Sequence, residues 1–556
     1  MIARDPRVVY QPTDLWLRVP MLMAKSNNID VNYIGRRSIK DPDERCRKSM
    51  RNKKPYTRSS SSLLYAHKSK TMLKKMGSKR SSHTPSRFSL CTALCFIGIF
   101  AIAALFLVHT TPSTLICTSL ITTSAQRWSG DLRMADFAWN RLTFDEVLPP
   151  RATMKIAVFS RKWPTSSVPG GMERHAYTLH TAMAARGHRV HIFTSPYPNC
   201  EAAVRARPVK YPLIHCHEGH QGQWRYNKAW EQFQEENAHE RFDVVHTESV
   251  ALPHWLAINV SNLVVSWHGI ALESLQSSIY QDLIRLPNEP MSPEFNKSIY
   301  GVVPKVLQEI RFFHRYAHHV AISDSCGEML RDVYQIPRTR VHVIANGVDD
   351  GDFKEDLSLR DEFRIKVGIP KNAIIVLGIA GRLVKDKGHP LLFAAFSKLI
   401  KKHNDVFLVI AGTGPWEGRY RELGPQALVL GSMNPSELRG FYNGIDIFVN
   451  PTLRPQGLDL TLMESMMAGT PVMASRYPSI KGTILVEEEF GFMFAPNVDS
   501  LLEAFEIVVK EGPERLAQRG QAGKAYAHSM FTARKMTLAY ERLFLCVKNE
   551  SFCYYS

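Results

Sequence analysis

One carboxylate, Glu464, falls a turn inside a short predicted helix in the stretch PTLRPQGLDLTLMESMMAGTPVMAS, Pro451 to Ser475. Asp459 stands where a side-chain oxygen can accept the free N–H groups of the first helical turn, so it is predicted to cap that helix. Gly469 and Pro471 end the helix, one by tolerating a left-handed cap and the other by lacking a donor. VMAS reads as the strand that follows. Strand, loop, helix N-terminus and placed acid describe a ligand site rather than a core segment. A carboxylate at position 464 can accept hydrogen bonds from two vicinal hydroxyls, as on a ribose. Gln456, Gly457, Leu458, Asp459 and Leu460 lead into the helix and can turn backbone N–H groups toward a sugar or a phosphate.

A second group lies about eighty residues upstream. GRLVKDKGHP, Gly381 to Pro390, ends one predicted strand and precedes a helix, and it carries two cations, Arg382 and Lys387. Fixed cations and helix-end N–H groups stabilise negative charge that builds on a departing diphosphate. Gly412 and Gly414 in AGTGP form a turn expected beside the same ligand. Nearer the N-terminus, PGGMERHAYTLH (Pro169 to His180) opens a helix with Gly170 and Gly171, which let backbone come close to a phosphate or an acceptor. This string is not GxGxxG, which argues against a dinucleotide site and hence against a nicotinamide-dependent oxidoreductase. In SWHGI, His268 follows directly on a strand end.

Two alternating series of elements are expected to position these residues. The first begins with MKIAVF (154–159), a helix over Glu173–Arg186 and RVHIFTS, and continues through FDVVH, NLVVSWH and HHVAIS. The second begins near Ala373 with AIIVLGIAG, the helix HPLLFAAFSKLIKKH, DVFLVIAGTG, ALVLG, a helix over Ser436–Tyr442 and GIDIFVNP. Two such series imply two Rossmann-like domains with parallel sheets, whose ligands bind outside the carboxyl ends of the strands. The natural site is the cleft between the two.

At 556 residues the chain is too long for one ordinary domain. Its net charge of +18 suggests nucleic acid until it is mapped. Residues 1–88 hold 21 Lys/Arg against 6 Asp/Glu, so they account for +15 and the rest of the chain for only +3. No basic, aromatic-interleaved stripe follows, and nucleic-acid binding loses its support. Leu90 to Val108 is an uncharged run of 19 residues, the length of a membrane span. Lys74, Lys75, Lys79, Arg80 and Arg87 crowd its N-terminal side, whereas the first base beyond it is Arg127. The positive-inside rule then puts the tail in the cytosol and the body in a lumen. Three sequons, at Asn259, Asn296 and Asn549, agree with that location. Six cysteines follow the span, and their spacing leaves the pairing open. His215, Cys216, His217 and His220 are close enough in sequence to suggest zinc. They lack a second CxxC or a helical HxxxH and read as a loop, with no metal site.

The strings Gly381–Gly388 and Pro451–Ser475 resemble the donor-sugar motifs of the retaining glycosyltransferases of family four, and the resemblance extends over about residues 154–548. It implies a GT-B fold, in which two Rossmann-like domains with parallel sheets face each other across a cleft, here with one N-terminal transmembrane helix. The implied parts are a basic cytosolic tail (1–88), an anchor (89–109), a stem (110–152), an N-terminal acceptor domain (153–360), a C-terminal donor domain (361–530) and a returning helix (531–556). It further implies transfer of a hexose-type sugar from a nucleoside-diphosphate donor to an acceptor hydroxyl, with no cofactor or metal. The partners would be the nucleotide sugar, a glycan, lipid or small-molecule acceptor, and a Golgi or other endomembrane entered in type II orientation. By the same resemblance Arg382 and Lys387 hold the diphosphate, Glu464 the ribose, and His268 lines the cleft beside the sugar. NGVDDGDF, with Asn346, Gly347 and Asp349, matches the crossing between domains. The family's donor motif has two glutamates separated by seven residues, and Gln456 stands in place of the first. An amide can bond a hydroxyl but lends no negative charge to an oxocarbenium-like transition state, so a nucleotide- or glycan-binding protein with weak or no turnover is the alternative.

Overall fold

Apolar runs that are buried on both faces pair side by side, and the amphipathic helices between them cover the faces, giving two wholly parallel sheets. The computed structural model describes residues 128–144, 153–164, 170–200, 210–285, 288 and 290–556. The expected tail and anchor, and most of the stem, lie outside the described residues. Among the described residues no helix is long and apolar enough to cross a membrane.

The first sheet contains β2 (Lys155–Phe159), β3 (Arg189–Thr194), β4 (Leu213–Cys216), β5 (Val244–Glu248), β6 (Leu263–Trp267), β7 (His318–Ala321) and β8 (Val341–Val343). Their order is β4-β3-β2-β5-β6-β7-β8. The strand β1 (Gly130–Asp131) instead pairs antiparallel with β15 (Tyr554–Tyr555) in a small separate ladder. Period-two alternation divides the core. Ile156, Val158, Val244 and Val264 face one side, and Ala157, Phe159, Val245 and Val265 the other. On the first side they meet Met536, Tyr540 and Phe544 of the helix Ala533–Lys548, near the end of the chain. Each large apolar side chain so buried contributes about 1.5–3 kcal/mol.

The second sheet contains β9 (Ile375–Ala380), β10 (Val406–Ala411), β11 (Ala427–Gly431), β12 (Ile447–Asn450), β13 (Val472–Ser475) and β14 (Gly491–Phe494), in the order β11-β10-β9-β12-β13-β14. The polypeptide passes between the bodies at two places that pair with each other. Val348 N–H donates to the Phe531 carbonyl at 2.8 Å, and Ala533 N–H returns a bond of 2.8 Å to Val348. Gly347 lies so close that an added Cβ would fall 2.5 Å from the Thr532 carbonyl oxygen.

Strand β4 differs from the sequence expectation of a loop. LIHC has no alternation to mark it, and it forms by pairing with β3, with Cys216 bonded to Cys200 across the neighbouring segment. That disulfide removes Cys216 from any zinc site. A second disulfide joins Cys546 and Cys553, while Cys326 is a buried free thiol.

Candidate functional site

In the second sheet the strand order reverses between β9 and β12, where the crossovers leave to opposite sides and open a crevice at the strand carboxyl ends. The two loops that border this crevice are the two strongest sequence motifs, after β9 and after β12. They touch backbone to backbone. Gly388 has φ +80°, and a Cβ on it would fall 1.7 Å from the Pro451 carbonyl oxygen. Gly412 is equally constrained, its Cβ position 1.8 Å from the Gly381 carbonyl, so its role and that of neighbouring Gly414 is to let β10's loop lie against the β9 loop.

Lys387 and Asp459 meet across this junction as a salt bridge. Asn450 Nδ2 donates to the other carboxylate oxygen at 3.1 Å. Asp459 does occupy the N-cap position of the helix Leu460–Met467, but its side chain makes no capping bond. The predicted cap is therefore corrected: a nearby ammonium outcompetes the helix N–H groups for the carboxylate. Burial raises the Asp459 pKa, and Lys387 with Asn450 outweighs that and holds it below the ordinary carboxylate value. Arg382 is exposed and has no ion-pair partner among the described residues. The side chains of Leu458 and Leu460 belong to the hydrophobic core rather than to a ligand surface. What that segment can offer a ligand is its backbone.

Glu464 is fully buried. Its Oε2 accepts from the Tyr442 hydroxyl at 2.7 Å, and Oε1 is engaged by Arg174. Arg174 comes from the first body, in the first turn of the helix Gly171–Ala185 that Gly170 and Gly171 open. Burial, and then the charge of Glu464, pushes the Tyr442 phenol well above its ordinary pKa.

The rest of the first body's contribution comes from the ends of β5 and β6. His268 lies within 2.6 Å of Glu248, which ends β5. Behind them His180 and His246 approach at 3.0 Å, His246 reaches Ser266 at 2.8 Å, and Ser266 reaches Tyr540 at 2.8 Å. His175, Glu248 and His268 bring potential ligand atoms within 4.8 Å of one another. The helix Ala271–Leu283 then grips the β12 loop twice. Glu273 receives Arg454 Nη2 at 3.0 Å, and Gln276 receives Gln456 Nε2 at 2.7 Å. The Gln456 backbone carbonyl accepts from Ser323 at 3.2 Å.

Two family models match the chain. Glycosyltransferase Family 4 covers residues 169–352 and Glycosyl transferases group 1 covers residues 360–526, together more than half of the sequence. The chain is a GT4-like glycosyltransferase. An uncharacterized glycosyltransferase of Methanocaldococcus jannaschii is 25% identical over 374 residues, spanning 63% of this chain and 87% of that protein. A phosphatidyl-myo-inositol mannosyltransferase of Mycobacterium tuberculosis is 24% identical over 345 residues, 59% of this chain and 79% of that one. Among solved structures, sucrose-phosphate synthase from Thermosynechococcus elongatus superposes with a TM-score of 0.56 at 17% identity, over 70% of this chain and 98% of that one. Anabaena HepE, in complex with UDP-glucose, gives 0.51 at 18% identity, over 70% and 99%. The fold is GT-B.

In this glycosyltransferase the sequence motifs after β9 and β12 converge, and those after β2 and β6 face them. Arg174, Glu248, Glu273, Tyr442 and Arg454 were not singled out from sequence. Arg174 and Arg454 lie inside quoted motifs, where an arginine three residues after a glycine pair or two residues before Gln456 was the available signal. Glu248, Glu273 and Tyr442 carried none, because only folding buries them beside a partner. In the His-Cys-His string His217 accepts from Arg225 N–H at 3.0 Å, and His215 stacks on His191 and Phe193 and brings a ring nitrogen within 4.8 Å of ligand atoms of His191 and Glu236.

The buried histidines are expected to make the glycosyltransferase acid-sensitive. Burial depresses His175 and His246 to about 3, against the opposing pull of Glu248. Once unfolded, they protonate near 6.5. Below pH 6.5 the unfolded chain therefore binds protons that the folded one does not, and stability falls with pH until the folded values near 3 are reached. Each histidine is expected to cost about 2 kcal/mol between pH 6.5 and 5. Thermal unfolding should show a clearly lower midpoint at pH 5 than at pH 7, and equal midpoints would contradict the neutral buried histidines.

Proposed function

We propose that this glycosyltransferase is a retaining enzyme that moves a hexose-type sugar from a nucleoside-diphosphate donor, such as a UDP- or GDP-sugar, to a hydroxyl of a glycan, lipid or small-molecule acceptor. The observation that carries this reading is the meeting of Lys387 and its loop with the β12 loop at the switch point of the second sheet, with Glu464 buried behind them. Arg382 and Lys387 take the diphosphate, and Glu464 takes the ribose hydroxyls when Arg174 yields to them. The bond between the anomeric carbon and the phosphate oxygen breaks, and its electron pair leaves on the diphosphate. The acceptor oxygen forms its bond on the same face, and its proton passes to the departing phosphate oxygen. His268, oriented by Glu248, lines the sugar side. The cations take the developing charge, so neither a metal nor a cofactor is required. The complex of Anabaena HepE with UDP-glucose, within the same fold, supports the donor class.

In the same reading residues 89–109 anchor the chain and the body faces the lumen of the Golgi or another endomembrane compartment. The disulfides Cys200–Cys216 and Cys546–Cys553 support an oxidising surrounding. The test is nucleotide release by the full chain in sealed microsomal vesicles, offered UDP-glucose, UDP-N-acetylglucosamine and GDP-mannose in EDTA. Release that needs detergent to expose the body is expected. Release from no donor, with detergent present, overturns transfer; release without detergent overturns the lumenal orientation; and release that EDTA removes overturns metal independence. Gln456 favours a second reading, a body that holds nucleotide sugar without turnover. Saturable UDP binding with no release from any donor would select it.

A further inference from the structure

Position 456, where the family's donor motif places a carboxylate against the sugar, is an amide here, and the structure brings another carboxylate to its side. Glu273 stands in the first turn of the helix Ala271–Leu283, directly after His268-Gly269-Ile270, and is 1% exposed. Its Oε2 is held by Arg454 at 3.0 Å, whereas its Oε1 is buried with no hydrogen-bond partner. The pair is wedged between two glycines that follow site residues. A Cβ on Gly457 would fall 2.8 Å from Glu273 Oε1, and a Cβ on Gly269 would fall 2.9 Å from Arg454 Nη2 and 3.1 Å from Glu273 Oε2. One turn further along the same helix, Gln276 draws off the Gln456 amide. Thus the side chain at 456 is turned onto the helix, and the free carboxylate oxygen beside Gly457 belongs to Glu273. Burying an ion pair with one oxygen unsatisfied is costly unless something arrives to use it.

We propose that Glu273, contributed by the opposite body of the cleft, supplies to the donor sugar the negative charge that Gln456 cannot. This rests on the transfer reading given above. As the bond from the anomeric carbon to the phosphate breaks, the electron pair leaves with the diphosphate and positive charge builds on the sugar. The Glu273 carboxylate stabilises that charge without being altered, and Arg454 holds it in place. Because the charge comes from the other body, the sugar subsite is complete only when the two bodies are closed on the donor.

The test uses the full chain and whichever of UDP-glucose, UDP-N-acetylglucosamine and GDP-mannose the unaltered protein turns over. Glu273→Gln keeps the volume and removes the charge. It is expected to lower kcat at least 100-fold while changing the affinity for the free nucleotide less than threefold. Adding Gln456→Glu to that variant is expected to recover at least tenfold, by returning the charge to the β12 loop. A Glu273→Gln chain that turns over within threefold of the unaltered one overturns the proposal, as does a folded double variant no faster than the single. Should Glu273→Gln not fold, Gln456→Glu alone decides. Two carboxylates would then share the site, and the acid limb of the kcat profile should move up by at least one pH unit; an unmoved limb overturns the placement. If the unaltered chain releases no nucleotide at all, the transfer reading fails first, a result separate from any effect of Glu273.

Discussion

Replacing Glu464 with alanine is expected to abolish nucleotide binding and turnover together, and to destabilise the protein by about 3 kcal/mol or more. Both effects come from one feature. The carboxylate is fully buried, and its two oxygens are taken by Arg174 from the first body and by the Tyr442 hydroxyl. Its removal leaves a guanidinium without its counter-ion and a phenol without its acceptor, and an orphaned buried charge costs far more than a complete pair contributes. Glu464→Gln separates stability from binding. It keeps the volume and an acceptor for Tyr442 but loses the charge that holds Arg174. It should therefore fold with a smaller loss and still bind UDP at least tenfold more weakly, because an amide has one acceptor oxygen to offer two ribose hydroxyls. Calorimetric titration with UDP, beside thermal unfolding, checks both. Unchanged UDP affinity in the Gln variant would remove Glu464 from the nucleotide site.

Lys387→Met should cut kcat by roughly 100- to 1,000-fold while leaving the fold intact, the range seen when one preorganised partner of developing charge is removed. Lys387 is partly exposed, so its pair with Asp459 adds little to stability. In the proposed reading its value is positional: the ammonium pairs with Asp459, and a diphosphate arriving between β9 and β12 would compete for it. The variant also carries a pH signature. Lys387 is the largest of the partners that outweigh burial in holding Asp459 below its ordinary value. With the ammonium gone, Asp459 should take up a proton at higher pH. In the unaltered protein the depressed Asp459 favours the folded state above the ordinary carboxylate range, a contribution lost as pH falls through its folded value. In Lys387→Met that contribution should shrink. Steady-state rates against donor concentration at several pH values test the two together, and a Met variant with full kcat would exclude Lys387 from stabilising the leaving group.

Much of this was legible because local pattern and tertiary role coincide. The runs MKIAVF, AIIVLGIAG and DVFLVIAGTG are buried on both faces, so they announce parallel strands before anything is known of their neighbours. The loops at Gly381–Gly388 and Pro451–Asp459 could be paired from sequence because each follows such a strand. Where local pattern is weak, the reading failed in identifiable ways. LIHC became a strand because β3 offered an edge and Cys200 a partner, neither of which is a local property. Asp459 sits at a helix N-cap yet serves Lys387, since a charge brought from 72 positions away attracts it more strongly than amides beside it. Leu458 and Leu460 flank Asp459 in a predicted ligand loop but point into the core, as a loop entering a buried helix must.

By itself, the sequence determined the alternating architecture, the two loops that border the crevice of the second sheet and the residue types that could hold a nucleoside diphosphate. It did so because strand burial, turn glycines and charge are properties of short segments. Only the tertiary structure decided the electrostatic partners: Arg174 with Glu464, Lys387 with Asp459, Arg454 with Glu273, and the histidines behind Glu248. Arg174 with Glu464 and Arg454 with Glu273 span the two bodies, and their members are 290 and 181 residues apart. Such pairs depend on how two separately legible sheets meet, and pairing over that distance leaves no periodicity in the chain.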